Sequence, residues 1–329
     1  MKPPAFWSRP PEAPGWQARA LAPLAALYRR QTARRVAAAG ATVGRPVICV
    51  GNINAGGTGK TPTVVAVLDR LQRLGIAAHV VSRGYGGRAV GVVRVDPARH
   101  AAADVGDEPL MLAAFAPVWV GRDRAAAARA AVDAGAGAIV LDDGFQSPAL
   151  RRDLSIVVVD AHVGFGNGRV IPAGPLREPV AAGLARADLL LSIGPSEAQE
   201  RFTRDWPIAS AITRLRGALE PLQTGMTWGG LRVLAFAGIG RPEKAFDTMR
   251  GLGMDVVRTV ALADHQPLTT ALMMRLEREA MQAGAQLVTT EKDAVRLPAS
   301  FRHKVLFVPV RLQIDDPAPL DTALGRLFA

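Results

Sequence analysis

The sequence predicts an α/β fold with two units, each built on a parallel β-sheet. Short apolar runs rich in Val, Ile and Leu alternate with amphipathic segments of helical period, which is the pattern of βαβ units. The first run, Val47–Val50, leads into a glycine-rich turn and then a segment with Val64, Val67 and Leu68 on one helical face. A second alternating series begins at Val233 after an irregular stretch. We therefore expect a large α/β domain followed by a smaller one.

The amino-acid composition limits the classes of molecule that the protein is expected to bind. The chain has 329 residues, 49% of them hydrophobic, which is enough for two globular domains. Its net charge of +11 fits nucleic acid, an anionic membrane or a phosphorylated substrate. An aromatic content of 5% and the lack of a nucleic-acid motif argue against nucleic acid. The single cysteine, Cys49, excludes a disulfide framework and fits a reducing cytosol.

The first 40 residues differ from the rest, because aromatic side chains are interleaved with arginines. The apolar stretch Ala20–Tyr28 would form roughly 14 Å of helix at ~1.5 Å per residue, about half of a ~30 Å hydrocarbon core. It is therefore too short to span a bilayer. Its aromatic anchors and basic flank indicate a helix lying at a membrane surface. The alternative is a helix packed on the protein with its arginines simply solvated.

The glycine-rich turn after the first strand has the character of a phosphate-binding loop. It comprises Asn54, Ala55, Gly56, Gly57, Thr58, Gly59, Lys60 and Thr61. Glycines let consecutive N–H groups curl around an anion, and the following helix adds its positive dipole end. We expect Lys60 to reach the β- and γ-phosphates and the Thr61 hydroxyl to contact Mg²⁺. Asn54 replaces the usual first glycine, and the departure is tolerable because Asn is the non-glycine residue that most readily visits left-handed geometry. The alternative is a turn that binds nothing.

Acidic pairs occur at two further places. Asp142 and Asp143 directly follow the apolar run 138–141. Downstream of a phosphate-binding loop this arrangement predicts Mg²⁺ handling, with a tight Asp-Gly turn as the alternative. Asp107 and Glu108 begin a helical segment, where they are either stabilising caps or catalytic groups.

The arginine and histidine residues that are candidates for the functional site lie in loops. Arg83 follows the predicted strand 79–82 in a glycine-rich loop. Arg177 lies in a long Gly/Pro loop and is either a phosphate clamp or the partner of Glu178 in a surface ion pair. His265 follows Asp264 after a strand, and such a pair is usually a cap or a surface pair.

We predict four segments along the chain. Residues 1–40 form the membrane-associating helical segment, and residues 41–205 the large domain. Residues 206–230 are a connector, and residues 231–329 form the smaller α/β domain that closes over the site.

The chain contains, in order, the motifs Phe6-Trp7, GNINAGGTGKTP, SRGYGG, GDEP, LDDGFQ, PAGPLREP, FAGIGRPEKAF, ADHQ and TTEKDAVRL. This ordered set resembles the tetraacyldisaccharide 4'-kinases, enzymes of the lipid A pathway of Gram-negative bacteria. The motifs cover nearly the whole chain in order. The resemblance implies a P-loop NTPase-like domain, a smaller C-terminal α/β domain and an N-terminal interfacial helix. It also implies transfer of the ATP γ-phosphate to the 4'-hydroxyl of a tetraacyl glucosamine disaccharide 1-phosphate.

The resemblance also implies roles for individual residues. Asp107 and His265 would activate the acceptor hydroxyl from opposite domains, meeting only on closure, with Lys60 as the third catalytic residue. The nucleotide site comprises residues 54–61 together with Arg83, Gln146 and Arg177. The metal ligands are Thr61, Glu108, Asp142 and Asp143. The implied cofactors are ATP and Mg²⁺, and the implied location is peripheral, on the cytoplasmic face of the bacterial inner membrane. The partners are the lipid substrate and an anionic membrane surface, without nucleic acid.

A membrane-associated P-loop switch ATPase or GTPase is the competing hypothesis. Guanine specificity normally requires an Asn/Thr-Lys-x-Asp run. The run Thr290–Asp293 has an extra residue between its threonine and its lysine, so it does not match.

Overall fold

The structure is a computed structural model that describes residues 3–329, which form two β-sheets with helices around them. The strands are β1 (Val47–Gly51), β2 (Ala78–Ser82), β3 (Val93–Arg94), β4 (Val118–Val120), β5 (Ala138–Asp142), β6 (Leu154–Asp160), β7 (Leu189–Ile193), β8 (Thr213–Pro221), β9 (Arg232–Ala237), β10 (Asp255–Ala261), β11 (Gln286–Thr290), β12 (Val305–Val308) and β13 (Val310–Ile314). The helices are α1 (Trp16–Ala20), α2 (Ala22–Val36), α3 (Lys60–Arg73), α4 (Ala102–Val105), α5 (Asp107–Leu112), α6 (Arg124–Asp133), α7 (Val180–Leu184), α8 (Ser196–Asp205), α9 (Pro242–Gly251), α10 (Thr270–Gln282), α11 (Glu291–Ala294) and α12 (Ala318–Gly325). Short 3₁₀ helices cover Ala5–Ser8, Pro207–Ala211 and Ala299–Phe301.

The large sheet has the strand order β13-β8-β7-β6-β1-β5-β2-β4-β3. Its pairings from β8 to β4 are parallel, and the two edge strands β13 and β3 are antiparallel to their neighbours. All residues of β1 are buried, because helices cover both faces of a parallel sheet. The loop that follows β1 therefore starts from the most constrained part of the fold, and the predicted α/β class is confirmed.

Two apolar cores flank the large sheet. Helix α3 buries Val64, Val67, Leu68 and Leu71 on one face, as its pattern predicts. The opposite face contains Phe145, Phe165 and Phe202. Because both helical layers are anchored in this way, the carboxyl ends of the strands form a rigid edge on which loops can hold ligands.

The smaller sheet has the order β10-β9-β11-β12 and is parallel throughout. Helix α10 buries Met273 and Leu276 against one face, and helix α9 buries Phe246 and Met249 against the other. The loop after β10 carries His265 and reaches the start of α5.

The boundaries between the sheets differ from the predicted segments. The predicted connector 206–230 contains β8, which pairs with β7 and buries Leu215 and Gly217. The end of the predicted smaller domain contains β13 and α12, which lie with the large sheet. Strand β13 pairs with β8, and α12 buries Leu320 and Leu324 in the core beneath α3. The division into folding units stays a prediction.

The N-terminal segment packs on the large unit. The Trp7 indole donates a hydrogen bond to the Pro172 carbonyl at 3.1 Å. Helix α2 buries Ala25 and Thr32 but leaves Leu24 and Leu27 exposed. Among residues 3–329, no helix has both the length and the apolar character needed to cross a bilayer.

Candidate active site

The loop between β1 and α3 is fixed by hydrogen bonds within the protein. The Asn52 amide donates to the Gly56 carbonyl and to the Thr58 hydroxyl, both at 3.1 Å. Gly56 and Gly59 have φ values of 131° and 94°, which L side chains rarely adopt. A Cβ atom on Gly56 would meet nothing within 4 Å. The backbone conformation therefore requires glycine at this position, and the space beside the loop is open to a ligand.

Asn54 fills the first motif position in a way that the sequence did not indicate. It is absent from the residues of positive φ and instead forms an antiparallel bridge with Leu176. Its buried amide donates to the Gly164 carbonyl at 3.0 Å. Left-handed geometry is therefore not the reason that asparagine fits this position. The asparagine ties the phosphate-binding loop to the Gly/Pro loop.

Lys60, Asp143 and Arg177 form a charged cluster beside this loop. The Arg177 guanidinium binds both carboxylate oxygens of Asp143, at 3.0 and 3.3 Å, and the Lys60 ammonium lies 3.7 Å from Oδ1. Burial alone would raise the pKa of Asp143, but Lys60 and Arg177 hold it below its usual value. Asp143 itself has φ 54°, and Arg124 donates to its carbonyl at 3.0 Å. Arg177 therefore contacts the acidic motif, whereas the alternative partner Glu178 binds Arg186.

Asp142 is a buried carboxylate with an unfilled hydrogen-bonding capacity. Burial, followed by the nearby charge of Glu108, raises its pKa to about 7. The Ser82 hydroxyl donates to Oδ2 at 3.3 Å. Its Oδ1 has no hydrogen-bond partner within residues 3–329. A cation near Oδ1 would satisfy this atom and stabilise the ionised form.

The predicted metal ligands fit Mg²⁺ in the manner usual for nucleotide sites. In the described part of the chain, no three His, Cys, Asp or Glu residues form a preformed metal cage. Mg²⁺ commonly binds one or two carboxylates and takes its other ligands from water and phosphate. Asp142 offers a free oxygen, and Thr61 lies in the first turn of α3, next to Lys60. Glu108, in contrast, is bound by Lys292 at 3.0 Å.

Gln146 belongs to a buried network that connects the acidic motif with the phosphate-binding loop. Its amide nitrogen donates to the Asn52 carbonyl at 2.8 Å and to Glu178 at 2.9 Å. Its amide oxygen accepts from Arg177 at 3.2 Å. Arg186 neutralises Glu178 through contacts of 2.7 and 2.6 Å. Sequence reasoning missed Glu178 and Arg186 as members of the site, although Glu178 lies in the PAGPLREP motif.

Asp107 and His265 come from different sheets and are in contact. Nδ1 of His265 lies 2.8 Å from Oδ2 of Asp107. This hydrogen bond raises the pKa of His265 above its ordinary value. Burial raises the pKa of Asp107, but the bond to His265 and the charge of Lys292 hold it below its ordinary value. A histidine whose imidazole is oriented by a carboxylate in this way is suited to act as a general base.

Further ion pairs join the two units. Glu108 binds Lys292, and Asp160 at the end of β6 binds Arg241 at 3.0 Å and Lys244 at 2.7 Å. The cations belong to the FAGIGRPEKAF and TTEKDAVRL motifs, to which sequence reasoning had assigned no residue roles. Their partners lie far away in sequence, so the spacing gave no signal for the pairs.

Arg83 lies at the margin of the cluster. It follows β2 and makes no ion pair within residues 3–329, but its charge contributes to lowering the pKa of the largely buried Arg124. The structure therefore brings together Lys60, Asp142, Asp143 and Arg177, while Arg83 contacts none of the carboxylates.

The sequence matches one protein family over most of its length. The model of the family described as tetraacyldisaccharide-1-P 4'-kinase matches residues 17–329. The tetraacyldisaccharide 4'-kinase of Dinoroseobacter shibae is 66% identical over 100% of this chain and 98% of its own length. The protein of the same name from a Jannaschia species is 58% identical over 100% of this chain and 99% of its own. These relatives give no support to a switch ATPase.

A solved structure has the same fold. The crystal structure of the "apo" form of LpxK from Aquifex aeolicus in complex with ATP matches with a TM-score of 0.77 and 24% sequence identity. The match covers 95% of this chain and 99% of that chain. At this identity, the likeness establishes the fold.

Proposed function

Since this chain belongs to the tetraacyldisaccharide-1-phosphate 4'-kinase family, we propose how its own residues carry out the family's phosphoryl transfer. The enzyme transfers the γ-phosphate of ATP to the 4'-hydroxyl of a tetraacyl glucosamine disaccharide 1-phosphate, a step of lipid A biosynthesis. Transfer of this kind depends on positioning and charge neutralisation rather than on covalent chemistry. The observation that carries the assignment of residues is the cluster of Lys60, Asp143 and Arg177 beside the loop after β1.

The loop of residues 54–61 binds the phosphates of ATP. Its conformation is fixed by Asn52, and Gly56 leaves open space where a phosphate would lie. Lys60 and Arg177 now bind Asp143, and both are placed to move onto phosphate oxygens when the nucleotide arrives. Gln146 supports this arrangement by holding the Asn52 carbonyl. Arg83 is close enough to add positive charge from the neighbouring loop.

Mg²⁺ is the metal that the residues fit. Asp142 and the Thr61 hydroxyl would hold it, with Asp143 and Glu108 available once their cationic partners shift. The bound ion supplies neutralisation of charge on the β- and γ-phosphate oxygens. The remaining steps rest on the side chains of the protein.

Activation of the acceptor belongs to His265 and Asp107. Asp107 accepts from Nδ1 of His265, which leaves Nε2 as the nitrogen that takes the proton of the 4'-hydroxyl. As the proton moves to the imidazole, the adjacent carboxylate stabilises the imidazolium that forms. The carboxylate of Asp264 lies 3.7 Å from Nε2 and favours the same charge.

The N-terminal segment brings the enzyme to the membrane that contains its lipid substrate. Trp16, Leu24 and Leu27 are 73%, 54% and 64% exposed, while α2 ends in a series of arginines. Exposed apolar side chains beside basic residues suit the surface of an anionic bilayer. We infer peripheral binding at the cytoplasmic face of the inner membrane, where ATP is available.

The assay that tests the assignment measures a new phosphate on the lipid. The purified protein in detergent is given ATP, Mg²⁺ and tetraacyl disaccharide 1-phosphate, and the product is identified by mass spectrometry. We expect a phosphorylated lipid that disappears in Lys60→Ala and persists in Lys304→Ala. The ammonium of the control lysine pairs with Glu277 at 2.8 Å and lies over the Phe301 ring, and Lys304 is far along the chain from Lys60. A Lys60→Ala enzyme that still produced the lipid at the normal rate would contradict the role of the loop.

A further inference from the structure

Arg296 is a buried arginine on the loop after α11, and its contacts reach the loop that carries His265. Its side chain is 6% exposed. It donates to the Gln266 carbonyl at 3.1 Å and to the Gly238 carbonyl at 2.9 Å, and it pairs with Asp293. Gln266 directly follows His265, so the guanidinium is bonded to the carbonyl of the residue after the histidine.

Asp293 fixes this guanidinium from the other side. Its carboxylate is fully buried and accepts two contacts of 3.1 Å from the Gly238 N–H. The Thr290 hydroxyl donates to it at 2.6 Å. Together, Asp293 and Arg296 hold both the N–H and the carbonyl of Gly238. Gly238, which directly follows β9, is therefore held rigidly and supports the neighbouring loop that carries His265.

His265 is attached to the same support in an unusual conformation. Its backbone N–H donates to the Gly238 carbonyl at 3.2 Å, and its φ is 57°, in the left-handed region that disfavours residues with a Cβ. Such a conformation persists only where the surroundings impose it. The Gly238 carbonyl therefore holds the backbone N–H of His265, and Arg296 holds the carbonyl of the residue that follows it.

Arg296 is also close to the partner of the histidine. Its Nε lies 3.9 Å from Oδ2 of Asp107, the oxygen that contacts His265. This Nε is buried and has no hydrogen-bond partner within the described residues. The positive charge therefore faces the carboxylate without replacing the histidine as its hydrogen-bond partner.

We propose that Arg296, held by Asp293, is the positioning residue that presents His265 to Asp107. The proposal rests on the role of the His265–Asp107 pair given under the proposed function. The planar guanidinium donates in several fixed directions, so it can bind two carbonyls and a carboxylate together. A lysine in the same place retains the charge but cannot make this set of bonds. Arg296 itself touches neither substrate nor nucleotide.

The first test compares Arg296→Met and Arg296→Lys with the wild type in the lipid phosphorylation assay. Misplacing a reacting group by about 1 Å can cost about 10²-fold in rate, so we expect kcat to fall by about that factor in Arg296→Met. The KM for ATP should stay unchanged, because Arg296 does not contact the loop after β1. We expect Arg296→Lys to remain impaired. Full rescue by lysine would overturn the proposal, because charge alone would then suffice.

A double-mutant cycle separates positioning from general stability. If Arg296 acts through His265, adding Arg296→Met to His265→Ala should change kcat no further. Independent losses that multiply would overturn the positioning role. If His265→Ala alone retained normal turnover, the proposed role of the pair would fail instead, so the two failures are distinguishable.

A matched control accounts for the destabilisation of the smaller unit. Met249→Ala removes a buried side chain from α9 in this unit, and the apolar core that contains Met249 includes no residue of the His265 loop. We expect it to lower Tm but to leave kcat per folded enzyme unchanged. A comparable loss of kcat in this control would overturn the proposal. If Arg296→Met does not fold, Arg296→Lys is used in the same cycle.

Discussion

Nδ1 of His265 lies 2.8 Å from Oδ2 of Asp107, although 158 positions separate the two residues in the sequence. Asp107 begins α5 beside the large sheet, and His265 follows β10 of the smaller sheet. The sequence leads one to expect that this pair meets only when the two units close. The structure has the pair in contact, together with the ion pair of Glu108 and Lys292. The two groups to which we assign activation of the acceptor are thus in contact in this arrangement.

Removing either member of the pair should slow the chemical step. We expect Asp107→Ala and His265→Ala each to lower kcat by about 10²–10⁴-fold, which is the usual contribution of general acid–base catalysis. The KM for ATP should change little, because the phosphate-binding loop lies after β1 and does not include these residues. Steady-state kinetics with the lipid acceptor measures both parameters.

The control for this prediction is His303→Ala, which alters an exposed histidine near β12. It should retain wild-type kinetics. If both site variants also turned over at the normal rate, the pair would have only a structural role.

Replacing Asp142 by asparagine should stabilise the metal-free protein while abolishing activity. The pKa of Asp142 is about 7 in the folded protein against an ordinary value of 3.8, so the folded state binds its proton more tightly. Its contribution to stability is therefore complete below pH 3.8 and is lost as the pH rises through about 7. The amide of the Asp142→Asn variant would carry no charge to bury. At pH 8 in EDTA we expect a gain in Tm of about 2 °C, because roughly 1 kcal/mol shifts Tm by about 2–4 °C in chains of about 150–250 residues and by less in longer chains.

Measuring Tm over a range of pH tests the direction of the predicted pH dependence. The gain from Asp142→Asn should shrink as the pH falls from about 7 towards 4, because the wild-type carboxyl becomes protonated there. Asp133→Asn, at an exposed carboxylate in α6, should show no such trend. A lower Tm for Asp142→Asn at pH 8 would contradict the argument, since it would mean that the buried charge is favourable without a cation.

Local patterns predicted the parts of the fold that depend on neighbouring residues. The strand β1, the amphipathic face of α3 and the acidic pair at the end of β5 could all be recognised, because period and turn chemistry act over a few positions. Strand β8 was taken for a connector, because only its pairing with β7 and β13 makes it a strand. Strand β13 directly follows β12, and only tertiary pairing separates the two between different sheets.

Within the site, residue types were easier to predict than their contacts. Lys60, Asp142 and Asp143 stand in a recognisable motif, so chemistry could be inferred from order alone. The partner of Arg177 could not, because the sequence suggested a phosphate or Glu178, whereas the contact with Asp143 depends on the tertiary fold. Arg296 belongs to a motif that was recognised, yet its role depends on carbonyls of two other loops. Contacts with backbone atoms leave no trace in side-chain patterns.

Charged substitutions on the exposed face of α2 should weaken membrane binding. Burying a leucine stabilises by about 1.5–3 kcal/mol, so Leu24→Glu or Leu27→Glu should each reduce affinity for anionic vesicles by at least about tenfold. Sedimentation with phosphatidylglycerol vesicles measures the bound fraction. High salt should also reduce binding, because it screens the arginines of α2.

The control for membrane binding is Leu74→Glu, which charges a leucine that is 51% exposed beyond the end of α3. It should bind vesicles as the wild type does. Equal losses in all three variants would indicate a general effect of negative charge instead of a specific face. Undiminished binding in Leu24→Glu and Leu27→Glu would contradict the proposed orientation.

Neutralising Asp160 should loosen the contact between the two units. This buried carboxylate holds Arg241 at 3.0 Å and Lys244 at 2.7 Å, both from the start of α9. In Asp160→Asn the two cations lose their shared anion and repel each other. We expect a cost of about 1–2 kcal/mol, between the values for exposed and fully buried pairs, because the cations are partly solvated. Hydrogen exchange at the start of α9 should become faster by about tenfold, since each 1.4 kcal/mol is a factor of about ten.

The matched variant Asp247→Asn removes the partner of Arg250 on the exposed side of the same helix, and it should leave this exchange unchanged. Because Asp160 ends β6, next to the strand that leads into the phosphate-binding loop, faster exchange at α9 should be accompanied by a higher KM for ATP. Unchanged exchange in Asp160→Asn would show that Glu108 with Lys292 and His265 with Asp107 are sufficient to hold the two units together.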